Sequence, residues 1–321
     1  MSLRRRISWI IHSSMSLRLT YMIDDHTNNL RVRRFFGLIL LPLGLLKLVK
    51  LMLFKGKHSA FKYQLSVVAI VKDEAPYLRE WIRYHLSVGV EHFFLYDNDS
   101  EDDLNKVLRE FSPYVTVKRI HGVVRQLDAY NDAINRHRLD TEFMAMIDAD
   151  EFIFRIGGDK NIVSLVKQLL STPASGGLAV NWALFGSSGY VKKPSGLVTN
   201  NFVHRATDDC VKNRMVKTIC NPRKVFYFAI SHAANYLPGH FAINENKERV
   251  EWATTKVASI HKIRINHYYS KSKEEFLQKR ARGSGEVLGF RDLSEFDEHD
   301  QNEIFDDSLR VYNEDNRLSK D

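Results

Sequence analysis

Between residues 63 and 147 four short β-rich runs alternate with helical stretches, and three of those runs end in carboxylates. Leu65 to Val71 predicts a buried strand that stops at Lys72-Asp73-Glu74, with Pro76 suited to the first turn of the helix that follows. Leu78, Trp81, Ile82 and His85 recur at helical spacing in that helix. Val90 to Tyr96 predicts a second strand closing on Asp97-Asn98-Asp99-Ser100, and Ser100 or Asp99 can cap the helix through Leu104, Val107, Leu108 and Phe111. Tyr114 to Ile120 predicts a third strand and residues 125–137 a polar helix. Phe143 to Ile147 predicts a fourth strand, closing on Asp148-Ala149-Asp150-Glu151. This order predicts an α/β fold, a doubly wound and mainly parallel sheet with right-handed crossovers. Ligands of such sheets bind beyond the carboxyl ends of the strands, where these acidic clusters fall.

Three segments follow from the pattern: 1–60, basic and hydrophobic; 61–290, the α/β body; and 291–321, an acidic tail. Past residue 160 the alternation blurs. Residues 162–170 predict a helix, 177–185 a strand containing Trp182, 186–189 a turn, and 276–281 part of a late amphipathic helix. The tail holds eleven acidic residues against four basic ones and few hydrophobes, which predicts partial disorder or loose packing. With 44% hydrophobic and 27% charged residues, the whole chain is not of disordered composition. Cys210 and Cys220 alone supply neither a disulfide framework nor a four-cysteine zinc module, and fit a reducing compartment.

The formal charge of +8 is concentrated at one end. Residues 1–60 carry eleven basic residues against two acidic ones, so the remainder is slightly negative. A nucleic-acid-binding fold spreads its basic stripe over the folded surface, so no nucleic-acid partner is expected. Residues 35–54 are apolar apart from Lys47 and Lys50, which lie three apart on one helical face; Pro42 and two glycines weaken a straight helix. Three readings stand: an in-plane or re-entrant membrane anchor whose basic flanks meet anionic headgroups, a hydrophobic helix packed on the body, or a single span. The first leads. The run begins late and lacks a small-residue cleavage site, which argues against a secretory signal. A positive anchor places the body on the cytoplasmic face of the membrane.

Asp148 and Asp150, at i and i+2 on the end of a buried strand, can address one divalent cation. Hard oxygen ligands suit Mg²⁺ or Mn²⁺, which commonly complete their shells with diphosphate oxygens. The plainer alternative is an acidic turn. Neither a Gly-x-x-x-x-Gly-Lys-Ser/Thr loop nor a Gly-x-Gly-x-x-Gly after the first strand is present, which argues against a P-loop hydrolase and a dinucleotide-binding dehydrogenase.

Residues 67–74, 78–85 and 96–100 resemble the opening of GT-A glycosyltransferases of the family 2 and family 92 type, in a form similar to bacterial members. Gln126 to Ala133 resembles the helix before their metal strand, and Met146 to Phe152 their Asp-x-Asp motif. Trp182, residues 185–189 and residues 265–272 are similar to family-92-like segments. The resemblance spans roughly residues 63–285, and reaches neither the first 60 residues nor the tail.

It implies a metal-dependent transferase moving a sugar from a nucleotide sugar, UDP by resemblance alone, to a hydroxyl of a cell-surface glycan or glycolipid, with inversion. Asp148 and Asp150 would address the metal and diphosphate, and His267 would complete the Mn²⁺ or Mg²⁺ site. Glu74 and Asp97 would lie near the nucleoside, with Gln126 and Asn131 bordering that pocket, and Lys271 would meet the departing diphosphate. A base must take the acceptor proton. Asp208, Asp209, Glu151 and His240 are candidates, with Asp209 carried forward because it follows the Trp182 region, where acceptor-side residues are expected. The basic cluster Arg214, Lys217, Arg223 and Lys224 offers contacts to phosphate or a solvated face. Acidic strand ends would equally serve a nucleotidyltransferase, a sugar-nucleotide hydrolase or a non-catalytic nucleotide-binding protein.

Overall fold

The computed structural model describes residues 41–53, 60–282 and 292–318, with positions 35 and 39 helical besides. The basic residues of 1–34 and the stretches 54–59, 283–291 and 319–321 lie outside the described residues. In chain order the elements are α1 (Leu41–Leu53), β1 (Tyr63–Val71), α2 (Ala75–Ser87), β2 (His92–Asp97), α3 (Leu104–Glu110), β3 (Val115–Arg119), α4 (Gln126–His137), β4 (Thr141–Met146), β5 (Glu151–Arg155) and α5 (Ile162–Leu169). There follow β6 (Ser175–Leu184), α6 (Val198–Asn201), β7 (His204–Arg205), β8 (Val216–Cys220), β9 (Val225–Phe228), β10 (Ala234–Tyr236), β11 (Phe241–Ile243), β12 (Arg249–Val250) and β13 (Ile263–His267). The chain ends in α7 (Lys273–Ala281), α8 (Ser294–His299), β14 (Ile304–Phe305) and α9 (Ser308–Asp315).

The main sheet runs β12-β11-β6-β8-β4-β1-β2-β3, with β13 added beside β6 and β5 beside β13. Strands β4, β1, β2 and β3 are parallel, as the βα alternation predicts. The continuation is not purely parallel: β8 inserts antiparallel between β4 and β6, and β13 runs parallel to β6 but antiparallel to β5. The architecture is therefore an α/β fold around a mainly parallel, mixed sheet.

The period of two along β1 sorts its side chains between two cores. Leu65, Val67, Ala69 and Val71 join Leu78, Trp81 and Ile82 of α2 in one buried cluster. Val68 joins Ala129, Tyr130, Ala133 and Ile134 of α4 in another, on the opposite face. Burying both faces leaves the strand ends as the open edge, and the acidic clusters of β1, β2 and β4 emerge there.

Residues 292–318 overturn the expectation of a loose tail. Strand β14 pairs antiparallel with β7, and the acidic side chains serve as acceptors for the body. Asp300 Oδ1 accepts Ser187 N at 2.6 Å and Asn302 Oδ1 accepts Ser188 N at 2.8 Å, so the 186–189 turn is capped by the tail. A side chain at Gly186 would collide with the Gln301 carbonyl and Asn302. Asp306 Oδ2 lies 2.7 Å from both Arg205 Nε and Arg264 Nη2. In α9, Asn313 Nδ2 donates to Thr199 Oγ1 at 2.6 Å, and the Tyr312 hydroxyl lies 3.0 Å from Ser87 Oγ.

Helix α1 packs through Leu48 and Leu51 on Phe226, Tyr227 and Leu237, as the packed-helix reading expects. Among the described residues, no helix is long and apolar enough to cross a membrane.

Candidate active site

At the end of β4 the chain turns through Asp148 and Asp150 into β5, and each carboxylate meets a lysine from another part of the fold. Asp148 Oδ2 accepts Lys217 Nζ of β8 at 2.7 Å, and its Oδ1 accepts Gln126 Nε2 of α4 at 2.7 Å. Lys217 is almost wholly buried and also lies 3.6 Å from Glu151 Oε2, which in turn accepts the Asp148 backbone N–H at 2.9 Å. Burial drives Glu151 well above the usual carboxylate range, with Lys217 offsetting only part of it. Asp148 is held below that range, because Lys217 outweighs the burial that would raise it. Of the two carboxyls Glu151 thus holds a proton more readily than Asp148.

Asp150 is buried and faces α7. Lys279 Nζ lies 2.5 Å from Asp150 Oδ2, and His267 Nε2, at the end of β13, lies 3.6 Å from Oδ1. Burial raises an Asp carboxyl, but Lys279 overcomes it and keeps Asp150 well below its ordinary value. Burial lowers His267, so its ring is neutral with a lone pair to offer. The Trp182 ring sits 4.3 Å from it, centroid to centroid.

Helix α7 starts with a capping box, Ser272 and Glu275 bonding reciprocally. Its residues at i, i+4 and i+7 address the β1 and β4 ends together. Glu275 accepts the Tyr77 hydroxyl at 2.7 Å, Lys279 reaches Asp150, and Arg282 Nη2 binds Glu74 Oε1 at 2.5 Å. Burial nonetheless raises Glu74, against Lys271 and Arg282. Lys271, just before α7, is nearly buried with φ of 48°, and its ammonium lies 4.1 Å above the Tyr77 ring.

The structure thus gathers Glu74, Gln126, Asp148, Asp150, His267 and Lys271 of the sequence-expected residues. Asp97 stays at the β2 end, where Oδ1 caps the Ser100 N–H at 2.9 Å and Oδ2 lies 3.7 Å from Arg119 Nε. Asn131 does not join the cluster: its carboxamide clamps α4 to β9, donating to Phe228 O at 2.9 Å and accepting Phe228 N at 2.8 Å. Nor does Asp209, an exposed residue bound by the Thr207 hydroxyl at 2.6 Å, while Asp208 pairs with Arg205 at 2.6 Å. His240 sits in the loop between β10 and β11. The basic cluster divides: Lys217 enters the site, whereas Arg223 donates to the Thr141 and Glu142 carbonyls at 2.7 and 2.9 Å and Lys224 to Ser175 O at 2.9 Å. Lys279 and Arg282 went unread in the sequence; their shared helical face below the Ser272–Glu275 box is the signal that would have found them.

Four polar atoms around this cluster are buried without a hydrogen-bond partner: Glu74 Oε2, Glu151 Oε1, Trp182 Nε1 and His267 Nδ1. Orphaned buried groups seek partners, and these four leave room here for further polar atoms. Among the described residues, no three His, Cys, Asp or Glu side chains gather as a metal-binding group. The expected triad Asp148, Asp150 and His267 therefore reduces to a pair, because Lys217 and Gln126 hold Asp148 to themselves. Asp150 Oδ1 and a neutral imidazole nitrogen 3.6 Å apart are beyond hydrogen-bond length and suit two ligands of one hard cation whose remaining positions go to water and phosphate.

The model of glycosyltransferase family 92 matches residues 66–298. A family 92 protein of Oryza sativa subsp. japonica is 28% identical over 212 residues, covering 63% of this chain and 36% of that protein. One from Arabidopsis thaliana is 30% identical over 161 residues, 47% of this chain and 28% of its own length. The chain thus spans only about a third of these relatives. Among solved structures, S. aureus TarS 1–349 in complex with UDP aligns at a TM-score of 0.35 and 14% identity, covering 50% of this chain and 47% of that one. Glucosyl-3-phosphoglycerate synthase from Mycobacterium tuberculosis, solved with Mn²⁺ and UDP-glucose, aligns at 0.28 and 14%, covering 37% and 44%. Scores of that size establish no common fold by themselves. The family model, covering well over half of the sequence and the whole acidic cluster, does decide the matter: the chain belongs to glycosyltransferase family 92.

Proposed function

We propose that this chain transfers a sugar from a nucleoside-diphosphate sugar, UDP first among the candidates, to a hydroxyl of a glycan or glycolipid on a GT-A-like body. The observation that supports this best is the meeting of the β1 and β4 carboxylates with Lys271, Lys279 and Arg282 around four orphaned polar atoms. Breaking the bond to the anomeric carbon leaves negative charge on the departing diphosphate, and fixed cations in a dry site stabilise it where it develops. Lys271 is the residue we assign to that oxygen cluster, since Tyr77 holds its ammonium beside Glu74 and Asp150.

A Mg²⁺ or Mn²⁺ ion would be held by Asp150 and His267 and would act as a Lewis acid on the diphosphate. Lys279 holds the Asp150 carboxylate in its ionised, ligand-ready form, and Gln126 and Lys217 orient Asp148. Glu74, whose Oε2 is buried without a hydrogen-bond partner, is the carboxyl we assign to a nucleoside hydroxyl, with Asp97 at the end of β2 the second candidate.

Calorimetric titration with UDP, with and without Mn²⁺, tests the reading. Binding that needs Mn²⁺ and is lost in Asp150→Asn is the expected result. Undiminished binding in Asp150→Asn would sink the metal assignment, and no binding of UDP, GDP or CMP under any condition would sink the transferase reading.

A further inference from the structure

Helix α1 has two apolar faces, and among the described residues the fold uses one. Gly44, Lys47, Leu48 and Leu51, at i, i+3, i+4 and i+7, turn toward the body, where Leu48 and Leu51 pack on Phe226, Tyr227 and Leu237. Lys47 Nζ is buried there, 5.9 Å above the Phe226 ring. On the opposite side Leu46, Val49 and Leu53 form a second stripe, 64%, 50% and 72% exposed, with Lys50 exposed on its flank. A surface helix that buries one face is ordinarily polar on the other. Phe35, Ile39, Leu43, Leu45 and Met52 extend the exposed apolar surface further.

We propose that this outer face seats α1 in the plane of an anionic lipid bilayer, with the folded body resting against the same surface. Charge selects the occupant: eleven basic residues against two acidic ones fall within residues 1–60, the complement of anionic headgroups, whereas a second copy of the same segment would set like charges together. Lys50 is placed to bury its stem and keep its ammonium among the headgroups. The inner contacts fix the geometry. A helix held alongside β9 and β10 lies level with the folded body and cannot cross the hydrocarbon without carrying that polar body into it.

The docking bears on the site through two layers. Strand β9 is clamped to α4 by Asn131, and α4 carries the Gln126 that holds Asp148. A bilayer against α1 is thus connected to the cleft through β9 and α4, which suits an acceptor carried by a lipid; this consequence rests on the transferase reading, and the docking itself does not.

The test is flotation of the full chain with phosphatidylcholine vesicles, with and without phosphatidylglycerol, beside the triple variant Leu46→Glu, Val49→Glu, Leu53→Glu. The wild type is expected to float with the anionic vesicles and to be partly released by salt. The variant should bind at least ~10-fold more weakly. Its melting temperature and UDP titration should match the wild type, because the three side chains point away from the body. Failure of the wild type to float, or equal flotation of the variant, overturns the proposal. So does retention after alkaline carbonate extraction, the mark of a span, or a wild-type dimer that the variant dissolves without any flotation.

Discussion

Lys279 Nζ lies 2.5 Å from Asp150 Oδ2 across 129 residues of sequence, joining the last helix of the body to the end of its fourth strand. Both side chains are largely buried, and Lys279 further donates to the Tyr269 carbonyl at 3.1 Å with its ammonium 3.9 Å from that ring. Closing the sheet's open edge with a cation-bearing helix keeps a carboxylate ionised where burial alone would protonate it.

The pair can be tested as a unit. Lys279→Met leaves Asp150 buried and unpaired, and should cost about 3–5 kcal/mol in a denaturant titration. Adding Asp150→Asn removes the stranded charge and should recover much of that loss, giving a coupling of more than about 1 kcal/mol in the double-mutant cycle. Additive losses would mean that the two residues do not stabilise the fold together.

The parts of this fold that were legible in the sequence are those where one pattern has one physical meaning. An apolar run ended by carboxylates reads as a buried strand opening on a site, and β1, β2 and β4 are that. Lysines mislead for the opposite reason. In Lys273 to Arg282 charged residues dominate, and the amphipathic pattern read over 276–281 does not say which of them turns inward, yet Lys279 is buried. Lys217 alternates with Val216 and Thr218 as an outward-facing residue would, but its side chain is buried against Asp148 and Glu151. The tail deceived by composition: its carboxylates are not repelling one another in solvent but accepting bonds from a turn and two guanidinium groups. Only tertiary contacts distinguish these cases, and none has a local period.

His85 should make the fold acid-sensitive. It is fully buried in α2, its Nδ1 2.8 Å from Trp81 O and its Nε2 accepting Ile153 N at 3.3 Å. Burial lowers its pKa to about 3, the Trp81 contact opposing only slightly. The unfolded chain therefore takes up this proton first, near pH 6.5, so the contribution is complete above that pH and declines as pH falls toward 3. Between pH 6.5 and 5 the wild type should lose roughly 2 kcal/mol that His85→Leu does not lose. Parallel pH profiles from urea titrations of the two proteins would overturn this account.

Asp306 adds a second acid-labile contact at lower pH. Burial would raise its carboxyl, but Arg264 and Arg205, with the Ser308 hydroxyl, hold it at about 2. Its stabilisation is present above the unfolded value near 4 and is lost as pH falls through about 2. At neutral pH Asp306→Asn strands the buried Arg264 guanidinium and leaves Arg205 with Asp208 alone, so it should cost about 3 kcal/mol and loosen β14 from β7. Limited trypsinolysis followed by mass spectrometry should release the last residues from the variant well before the wild type. Equal rates would mean that the tail is held without Asp306.

Lys271 offers the sharpest separation of chemistry from folding. Its ammonium rests on the Tyr77 ring, facing the space between Glu74 and Asp150, and no protein hydrogen bond of the cluster depends on it. If it meets the diphosphate, Lys271→Ala should weaken UDP binding by about 10- to 100-fold, the value of one charge-assisted hydrogen bond in a dry site. Uridine, which lacks the phosphates, should bind both proteins alike, and the melting temperature should move little. Lys271→Arg keeps the charge and should restore part of the affinity. A variant that loses uridine and UDP equally would place Lys271 at the nucleoside or in the scaffold, and the departing diphosphate would need another cation, with Arg282 next in reach of Glu74.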